Sequence, residues 1–198
     1  MSRIFDQRLF LFVIETSQKV LAKLKLYEEV RSSTQFVKKQ FGKRRLTVVE
    51  IGTQRGSNAR SICNNLNVKK IYCIDPYGEY SENQQGKKYT HNFMSMLKIA
   101  MKKLKNYPVK FVPMESAKAA KYVPKNIDFV YIDGNHDYDF VIKDMILYYD
   151  LLKHGGVLAG HDFCGNFVEV IYAVFDFLKL HPKLELHTVN ADWWFVKE

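Results

Sequence analysis

The sequence predicts an α/β protein: a mostly parallel sheet with helices on both faces, an antiparallel hairpin at its C-terminal end, and helices ahead of the first strand. Three observations predict it. From Leu46 onward, short β-branched or apolar runs alternate with helix-length segments, the pattern of a parallel sheet buried on both sides. The first run, Val48-Val49-Glu50-Ile51, passes straight into a glycine turn, Gly52-Thr53-Gln54-Arg55-Gly56, and then a helical segment. The last two runs, 184–189 and 193–196, are joined only by Asn190-Ala191-Asp192. A connection that short cannot cross over, so these two strands must pair antiparallel.

The elements follow in chain order. Residues 4–41 have helical periodicity, with Ile14, Leu21, Leu24 and Tyr27 forming one apolar stripe and Lys19, Lys23 and Lys25 on other faces. Ser32-Ser33 divides this stretch into two helices, and residues 42–45 are a short basic stop. Strands are expected at 46–51, 70–75, 109–113, 127–132, 156–160, 184–189 and 193–196, seven in all. Helices are expected between them at 57–66, 89–106, 116–122, 139–153 and 165–180. The segment from Gly78 to Lys88 is polar and unpatterned, and it follows the second strand at the carboxyl edge of the sheet. Ligands bind at that edge, so the segment reads either as a lid or as an ordinary surface loop. Two divisions result: residues 1–45, a helical extension serving as a cap or for oligomerisation, and residues 46–198, a ligand-binding domain. Strand alternation sends Trp193 and Trp194 to opposite faces, one into the core and the other onto a helix or a second subunit.

Bulk properties narrow the function classes. A chain of 198 residues, 47% hydrophobic and 26% charged, fits one globular domain with a full core. Its longest wholly apolar run near the start, Leu9 to Ile14, is far too short to span a bilayer. No signal-peptide pattern precedes it, so a cytoplasmic location is expected. The three cysteines, Cys63, Cys73 and Cys164, include no C-x-x-C pair. Cys63 and Cys73 fall where burial is expected and read as small core hydrophobes in a reducing compartment. Of the net charge of +9, residues 1–45 hold +7, with eleven Lys/Arg against four Asp/Glu. A basic appendage can attract a polyanion, an anionic membrane or an acidic partner, or it can be a solvated helix face. No nucleic-acid-binding motif accompanies it.

The chemistry lies in two constellations. In the first, Glu50-x-Gly52-x-x-x-Gly56 ends the first strand, and the second strand, Ile71-Tyr72-Cys73-Ile74, ends in Asp75. Glycines let backbone approach a ligand, and a helix start aims free N–H groups at it. An acid at the end of the next strand can take both ribose hydroxyls. The dinucleotide fingerprint has three glycines spaced to seat a pyrophosphate. Here there are two, with an acid just before the first, which disfavours a pyrophosphate and suits a cationic ligand. In this respect the chain resembles the class I S-adenosylmethionine-dependent methyltransferases, over roughly residues 46–198. That resemblance implies a Rossmann-like seven-stranded sheet in which the last strand inserts antiparallel beside the fifth. It also implies that Glu50, Gly52 and Gly56 lie against the methionine end of the cofactor, that Asn58 helps hold its carboxylate, that Asp75 binds the ribose, and that Ser116 meets the adenine edge. Ser116 also reads as an ordinary helix N-cap.

The second constellation is Asp133-Gly134-Asn135-His136 at the exit of the fourth strand and Gly155-Gly156 … His161-Asp162-Phe163 at the exit of the fifth. Adjacent parallel strands bring Asp133, His136, His161 and Asp162 to one rim, where gathered titratable groups point to function. The pattern is similar to that of small-molecule and sugar O-methyltransferases and of the catechol-type enzymes. The likeness implies that Asp133 and Asp162 are magnesium carboxylates and that His136 stands in the place of the catalytic base. In the catechol-type enzymes an amide follows the second carboxylate; here Phe163 follows Asp162, and His161 is the substitute ligand. Magnesium prefers oxygen ligands, so manganese, zinc, or no metal are the alternatives. Asp133 also reads as the cap of its turn, and Asp162 as a helix N-cap. The expected activity is methyl transfer to a small-molecule or sugar hydroxyl, with His136 as general base and Asp133, with or without a metal, orienting it or the acceptor. Nucleic acid is the disfavoured partner, and a homodimer is open. The rival readings are a nucleic-acid or protein methyltransferase docking through the basic N-terminus, a nicotinamide-dependent oxidoreductase, and a non-catalytic cofactor-binding module.

Overall fold

The structure, a computed structural model, describes residues 30–82, 86–89 and 93–198. The predicted stripe through Ile14, Leu21, Leu24 and Tyr27 lies outside the described residues. Helix α1 (Ser32–Phe41) begins where Ser32-Ser33 was expected to divide the N-terminal stretch. Next come β1 (Leu46–Ile51), α2 (Ser57–Asn65), β2 (Val68–Ile74), the short strands β3 (Tyr80–Glu82) and β4 (Lys87–Tyr89), and α3 (Phe93–Leu104). After these follow β5 (Val109–Val112), α4 (Ser116–Ala119) with a 3-10 turn (Ala120–Tyr122), β6 (Ile127–Ile132), α5 (Tyr138–Leu151), β7 (Leu152–Gly160), α6 (Val168–Leu180), β8 (His187–Val189) and β9 (Asp192–Val196).

Seven strands form one sheet in the order β5-β2-β1-β6-β7-β9-β8. The pairs β5/β2, β2/β1, β1/β6 and β6/β7 are parallel, and β9 inserts antiparallel between β7 and β8. This is the mostly parallel, hairpin-closed sheet expected from the sequence. All six residues of β6 are buried, which explains why that strand reads as a near-continuous apolar run, broken only by Asp128, rather than an alternating one.

Alternation along the strands feeds two core layers. Val49, Val130, Ile132 and Trp193 pack with Met145 and Tyr148 of α5 and Val174 and Phe177 of α6. Val48, Phe129, Tyr131 and Trp194 pack with Val37 and Phe41 of α1, Ala59 and Ile62 of α2, and Leu104 of α3. Each large side chain so buried contributes on the order of 2 kcal/mol. Both tryptophans are therefore core. Trp194 meets α1 through the Phe36 ring, 5.4 Å away, so the neighbour it finds is a helix of its own chain. Cys73 is fully buried and Cys63 half-buried, both free. Burial pushes the Cys63 thiol up to about 12, as suits a core hydrophobe.

Several boundaries differ from expectation, three of them for a visible reason. The strand expected at 184–189 shortens to His187–Val189, because the Leu184 amide donates to the His181 carbonyl in the turn that ends α6 (3.0 Å). Strand β7 starts at Leu152 rather than 156, since Leu152 aligns with Ile127 before a register shift. The polar segment after β2 is not wholly a loop: β3 and β4 pair antiparallel within it. No helix of the described residues is long and apolar enough to cross a membrane.

The strand exits form a staircase. The Asp75 amide donates to Val112 O (3.4 Å), Gly52 to Ile74 O (2.8 Å), Asp133 to Ile51 O (2.8 Å) and His161 to Ile132 O (3.1 Å). Each first residue past a strand thus extends the ladder by one bond to its neighbour. This aligns the exits of β2, β1, β6 and β7 along one edge. Strand order reverses between β1 and β6, and that is where open α/β sheets hold ligands.

Candidate functional site

The β1 exit is the tightest point of the edge. Gly52 has φ +86°, and a Cβ there would lie 1.8 Å from the Asp133 carbonyl oxygen. Only glycine lets the β1 turn and the β6 exit come this close. Gly56 opens α2 at φ +72°, and a Cβ there would meet Leu104 Cδ1 at 2.8 Å. The turn is tied to β2, since the Gln54 amide donates to Asp75 Oδ2 (2.8 Å) and the Tyr77 amide to Asp75 Oδ1 (2.8 Å). Burial raises the Asp75 carboxyl, and these two amides pull it back.

Beneath the turn, Glu50 is 1% exposed. Asn58 Nδ2 donates to its Oε1 at 3.0 Å, while its Oε2 is buried with no hydrogen-bond partner. Burial drives this carboxyl up to about 8; Thr53 and Asn58 oppose the shift, and Asp133 and Asp75 add to it. The Thr53 hydroxyl approaches without completing a hydrogen bond. The Tyr77 hydroxyl is a further buried polar group without a partner. An orphaned carboxyl oxygen below a glycine turn could hold a ligand's cation, because leaving it unmet is costly.

At the next exits the predicted rim assembles. His136 Nε2 donates to Asp162 Oδ2 at 2.8 Å, and His161 Nδ1 to Asp162 Oδ1 at 3.1 Å. Burial works against ionisation of Asp162, but the two imidazole hydrogen bonds outweigh it and hold its carboxyl well below the usual range. Asp133 goes the other way: desolvation lifts it to about 6, and Asp162 adds to this, while His161, Arg31 and His136 oppose it. The Phe167 ring backs His136, with centroids 4.3 Å apart. Asp162 has φ +60°, a left-handed conformation that Asp tolerates and that turns its carboxylate between the two histidines.

Asp133, His136 and Asp162 each offer one ligand atom within 4.8 Å of the others. Two carboxylates and one imidazole are a donor set that fits a divalent cation of the magnesium–manganese–zinc range. His161 is not in that set. Its Nδ1 is engaged by Asp162, and its Nε2 faces the Arg31 guanidinium at 2.5 Å.

Ser116 lies apart from the rim. Its hydroxyl donates to Asp144 Oδ1 at 2.5 Å, and its carbonyl accepts from the Tyr148 hydroxyl at 2.8 Å. The cap position of α4 falls to Glu115, so Ser116 is not the N-cap it also resembled. Asp162 is not one either, because α6 starts only at Val168. Burial raises the Asp144 carboxyl to about 7, against the pull of the Ser116 hydroxyl. Sequence reasoning missed Arg31, Asp144 and Asp192. Asp192 is 3% exposed and accepts from the Ser33 amide and hydroxyl (both 2.9 Å) and from the Tyr131 hydroxyl (3.0 Å). An acid in a three-residue hairpin turn reads locally as a turn residue, so nothing nearby in the chain signalled this role.

The sequence pattern of a family described as "Methyltransferase domain" matches residues 49–163. An Acanthamoeba polyphaga mimivirus protein, uncharacterized protein R132, is 32% identical over 124 residues, which are 62% of this chain and 54% of that protein. The match thus spans about half the length of that relative. Among solved structures, SMU.1697c of Streptococcus mutans, described as a candidate methyltransferase in complex with SAH, superposes with a TM-score of 0.64 at 13% identity, covering 87% of this chain and 99% of that one. A Staphylococcus aureus protein described as a candidate caffeoyl-CoA O-methyltransferase superposes with a TM-score of 0.58 at 17% identity, covering 93% and 92%. At such identities these two likenesses establish the shared fold.

Proposed function

Because the chain belongs to the methyltransferase-domain family, we propose that it transfers the methyl group of S-adenosylmethionine to the hydroxyl of a small molecule or sugar, with His136 as general base. Family membership removes the nicotinamide-dependent oxidoreductase reading. Residues 46–198 are the donor-binding domain, and the 1–45 extension adds Arg31 to its rim. One observation carries the proposal: the His136–Asp162 pair stands at the β6 and β7 exits, one step along the edge from the Gly52 turn and the orphaned Glu50 oxygen.

The donor supplies an electrophilic methyl on a cationic sulfur. Glu50 Oε2 would take its ammonium group, Asp75 its ribose hydroxyls, and Asn58 with the start of α2 its carboxylate. Ser116 would stand at the adenine edge, oriented by Asp144. Glu50 is raised to about 8, and an arriving cation favours its ionised form, so binding and loss of that proton are coupled.

On the acceptor side, His136 holds its Nε2 proton on Asp162. Its Nδ1 is then the nitrogen that takes up a proton from the acceptor hydroxyl, a contribution on the order of 10²–10⁴-fold. Asp133, half-buried beside it, orients the acceptor. A divalent ion would be held by Asp133, Asp162 and the one lone pair of His136, which then serves as ligand in place of base, and the ion would supply polarisation of the acceptor oxygen. Alignment over the Gly52 turn contributes the rest.

Turnover of a panel of hydroxylated small molecules by wild type and His136→Ala tests the assignment. A loss of at least about a hundredfold is expected, and activity within about threefold of wild type eliminates His136 as base. One observation favours a second reading, a macromolecular acceptor. Lys38, Lys39, Lys43, Arg44 and Arg45 are all exposed, with no acid between Arg31 and Val49. Salt-dependent binding of RNA or an acidic protein at physiological ionic strength would favour it over the small-molecule reading.

A further inference from the structure

The mechanism above uses neither His161 nor Arg31, yet both contact its groups. Arg31 precedes α1 and reaches the rim from 130 positions away in sequence. Its Nη1 lies 2.5 Å from His161 Nε2, and its Nη2 lies 3.8 Å from Asp133 Oδ2. We propose that Arg31 is a positioning residue for the acceptor rim: it locks the His161–Asp162–His136 array in the orientation that aims His136 at the acceptor. The inference rests on the reading of this rim as the acceptor side.

The argument is one of hydrogen-bond polarity. A guanidinium only donates. His161 Nε2 must therefore be the accepting nitrogen, and the His161 proton must sit on Nδ1. That proton goes to Asp162 Oδ1, and the other oxygen of the same carboxylate takes the Nε2 proton of His136. The guanidinium fixes which His161 nitrogen donates, that N–H holds Asp162 Oδ1, and the held carboxylate presents Oδ2 to His136 Nε2, so Arg31 acts on His136 through the position of the carboxylate. Asp162 alone could not do this, because a carboxylate accepts from either nitrogen of either imidazole.

Arg31 is itself held in place by a separate device. Two residues on, the Ser33 amide and hydroxyl both donate to Asp192 Oδ2, and Tyr131 of β6 donates to Asp192 Oδ1. The start of α1 is thereby pinned to β9 and to the strand that carries Asp133. The guanidinium also lies 3.8 Å from the Asp133 carboxylate, which makes it a counter-charge on the acceptor side.

The test is long-range ¹H–¹⁵N correlation of the imidazole nitrogens in the full-length chain, with His136→Gln and His161→Gln spectra giving the assignments. At neutral pH, wild type should show His161 with a protonated Nδ1 and a bare Nε2, and His136 with a protonated Nε2. Arg31→Ala should convert the His161 signals to exchange-averaged values, and Arg31→Lys should restore them. Arg31→Met, which keeps the stem but cannot donate and should likewise give exchange-averaged His161 signals, serves if the alanine variant does not fold. With a turned-over acceptor, Arg31→Ala should lower kcat at least tenfold while the Kd for S-adenosylmethionine stays within twofold. A protonated His161 Nε2 in wild type, or His161 signals unchanged by Arg31→Ala, overturns the proposal. The nitrogen spectra need neither donor nor acceptor, so they separate failure of this proposal from failure of the methyltransferase assignment.

Discussion

Glu50 gives the sharpest quantitative expectation. Its carboxyl titrates near 8 in the folded chain against an ordinary 4.5, chiefly because burial penalises the charge. Between those values the native state keeps a proton that the unfolded state has released. Stability therefore falls as pH rises through this window. The limiting slope is about 1.4 kcal/mol per pH unit, so the cost is about 3 kcal/mol at pH 7 and at most about 5 kcal/mol above pH 8. Below pH 4.5 it vanishes.

Glu50→Gln removes that titration. The amide can still accept from Asn58, but it leaves an NH₂ where the orphaned oxygen stood, costing about 1–3 kcal/mol at every pH. The readout is accordingly the slope and not the absolute stability. Urea unfolding at intervals from pH 5 to pH 8 should show wild type losing about 3–4 kcal/mol more than Glu50→Gln over the range. Other raised carboxyls, such as Asp133 and Asp144, slope the same way in both proteins and cancel in the difference. Parallel stability curves would refute the reasoning, because they would mean that Glu50 is ionised in the free protein at no cost. Calorimetry completes the test: S-adenosylmethionine binding above pH 8 should fall at least tenfold in Glu50→Gln.

Gly52→Ala should cost on the order of 3 kcal/mol or more, since it combines a left-handed backbone with a Cβ placed 1.8 Å from the Asp133 carbonyl oxygen. The corresponding drop of about 10 °C in Tm is readable by calorimetry, and an unchanged Tm would contradict the close approach. Asp192→Asn removes the charge from an acceptor of three hydrogen bonds and should cost about 2–4 kcal/mol. Amide exchange of α1 should accelerate in that variant, and α1 protection equal to wild type would show that Asp192 does not pin the helix. Manganese titrated against the protein and followed by the EPR signal of the free ion should bind at one site. Asp162→Asn should weaken that binding at least tenfold while His161→Gln leaves it intact, and the reverse ranking would move the ion to His161.

Most of the sheet is legible in the sequence because its strands are read by burial alone. Strands 46–51 and 127–132 coincide with their apolar runs to the residue, and three linking residues suffice to place β9 antiparallel. Legibility fails where a backbone group has a partner that no side-chain pattern announces. Leu184 to Leu186 look like strand, but the Leu184 amide is already used by the turn after α6. The β3/β4 ribbon pairs through backbone within a polar, unpatterned stretch, which periodicity cannot register.

The two halves of the site differ in legibility for a physical reason. The donor half is built from consecutive strand exits, with Glu50, Gly52, Gly56, Asn58 and Asp75 inside 26 positions. Each is placed by an element whose period the sequence states. The acceptor rim begins the same way, and adjacency of β6 and β7 was enough to bring Asp133, His136, His161 and Asp162 together. What the strand pattern cannot state is the sense of the hydrogen bonds among them. That sense is set by a left-handed Asp162, which points one carboxylate at two rings, and by an arginine that enters from outside the βα units. Neither has a local signature, because aspartate is ordinary in turns and Arg31 is one of eleven basic residues scattered through a segment, 1–45, that reads as a solvated face. A site that needs a base of one fixed orientation must anchor its proton chain on a group that cannot reverse. Arg31, which only donates and stands just ahead of α1 rather than on the sheet, is such a group in contact with the array.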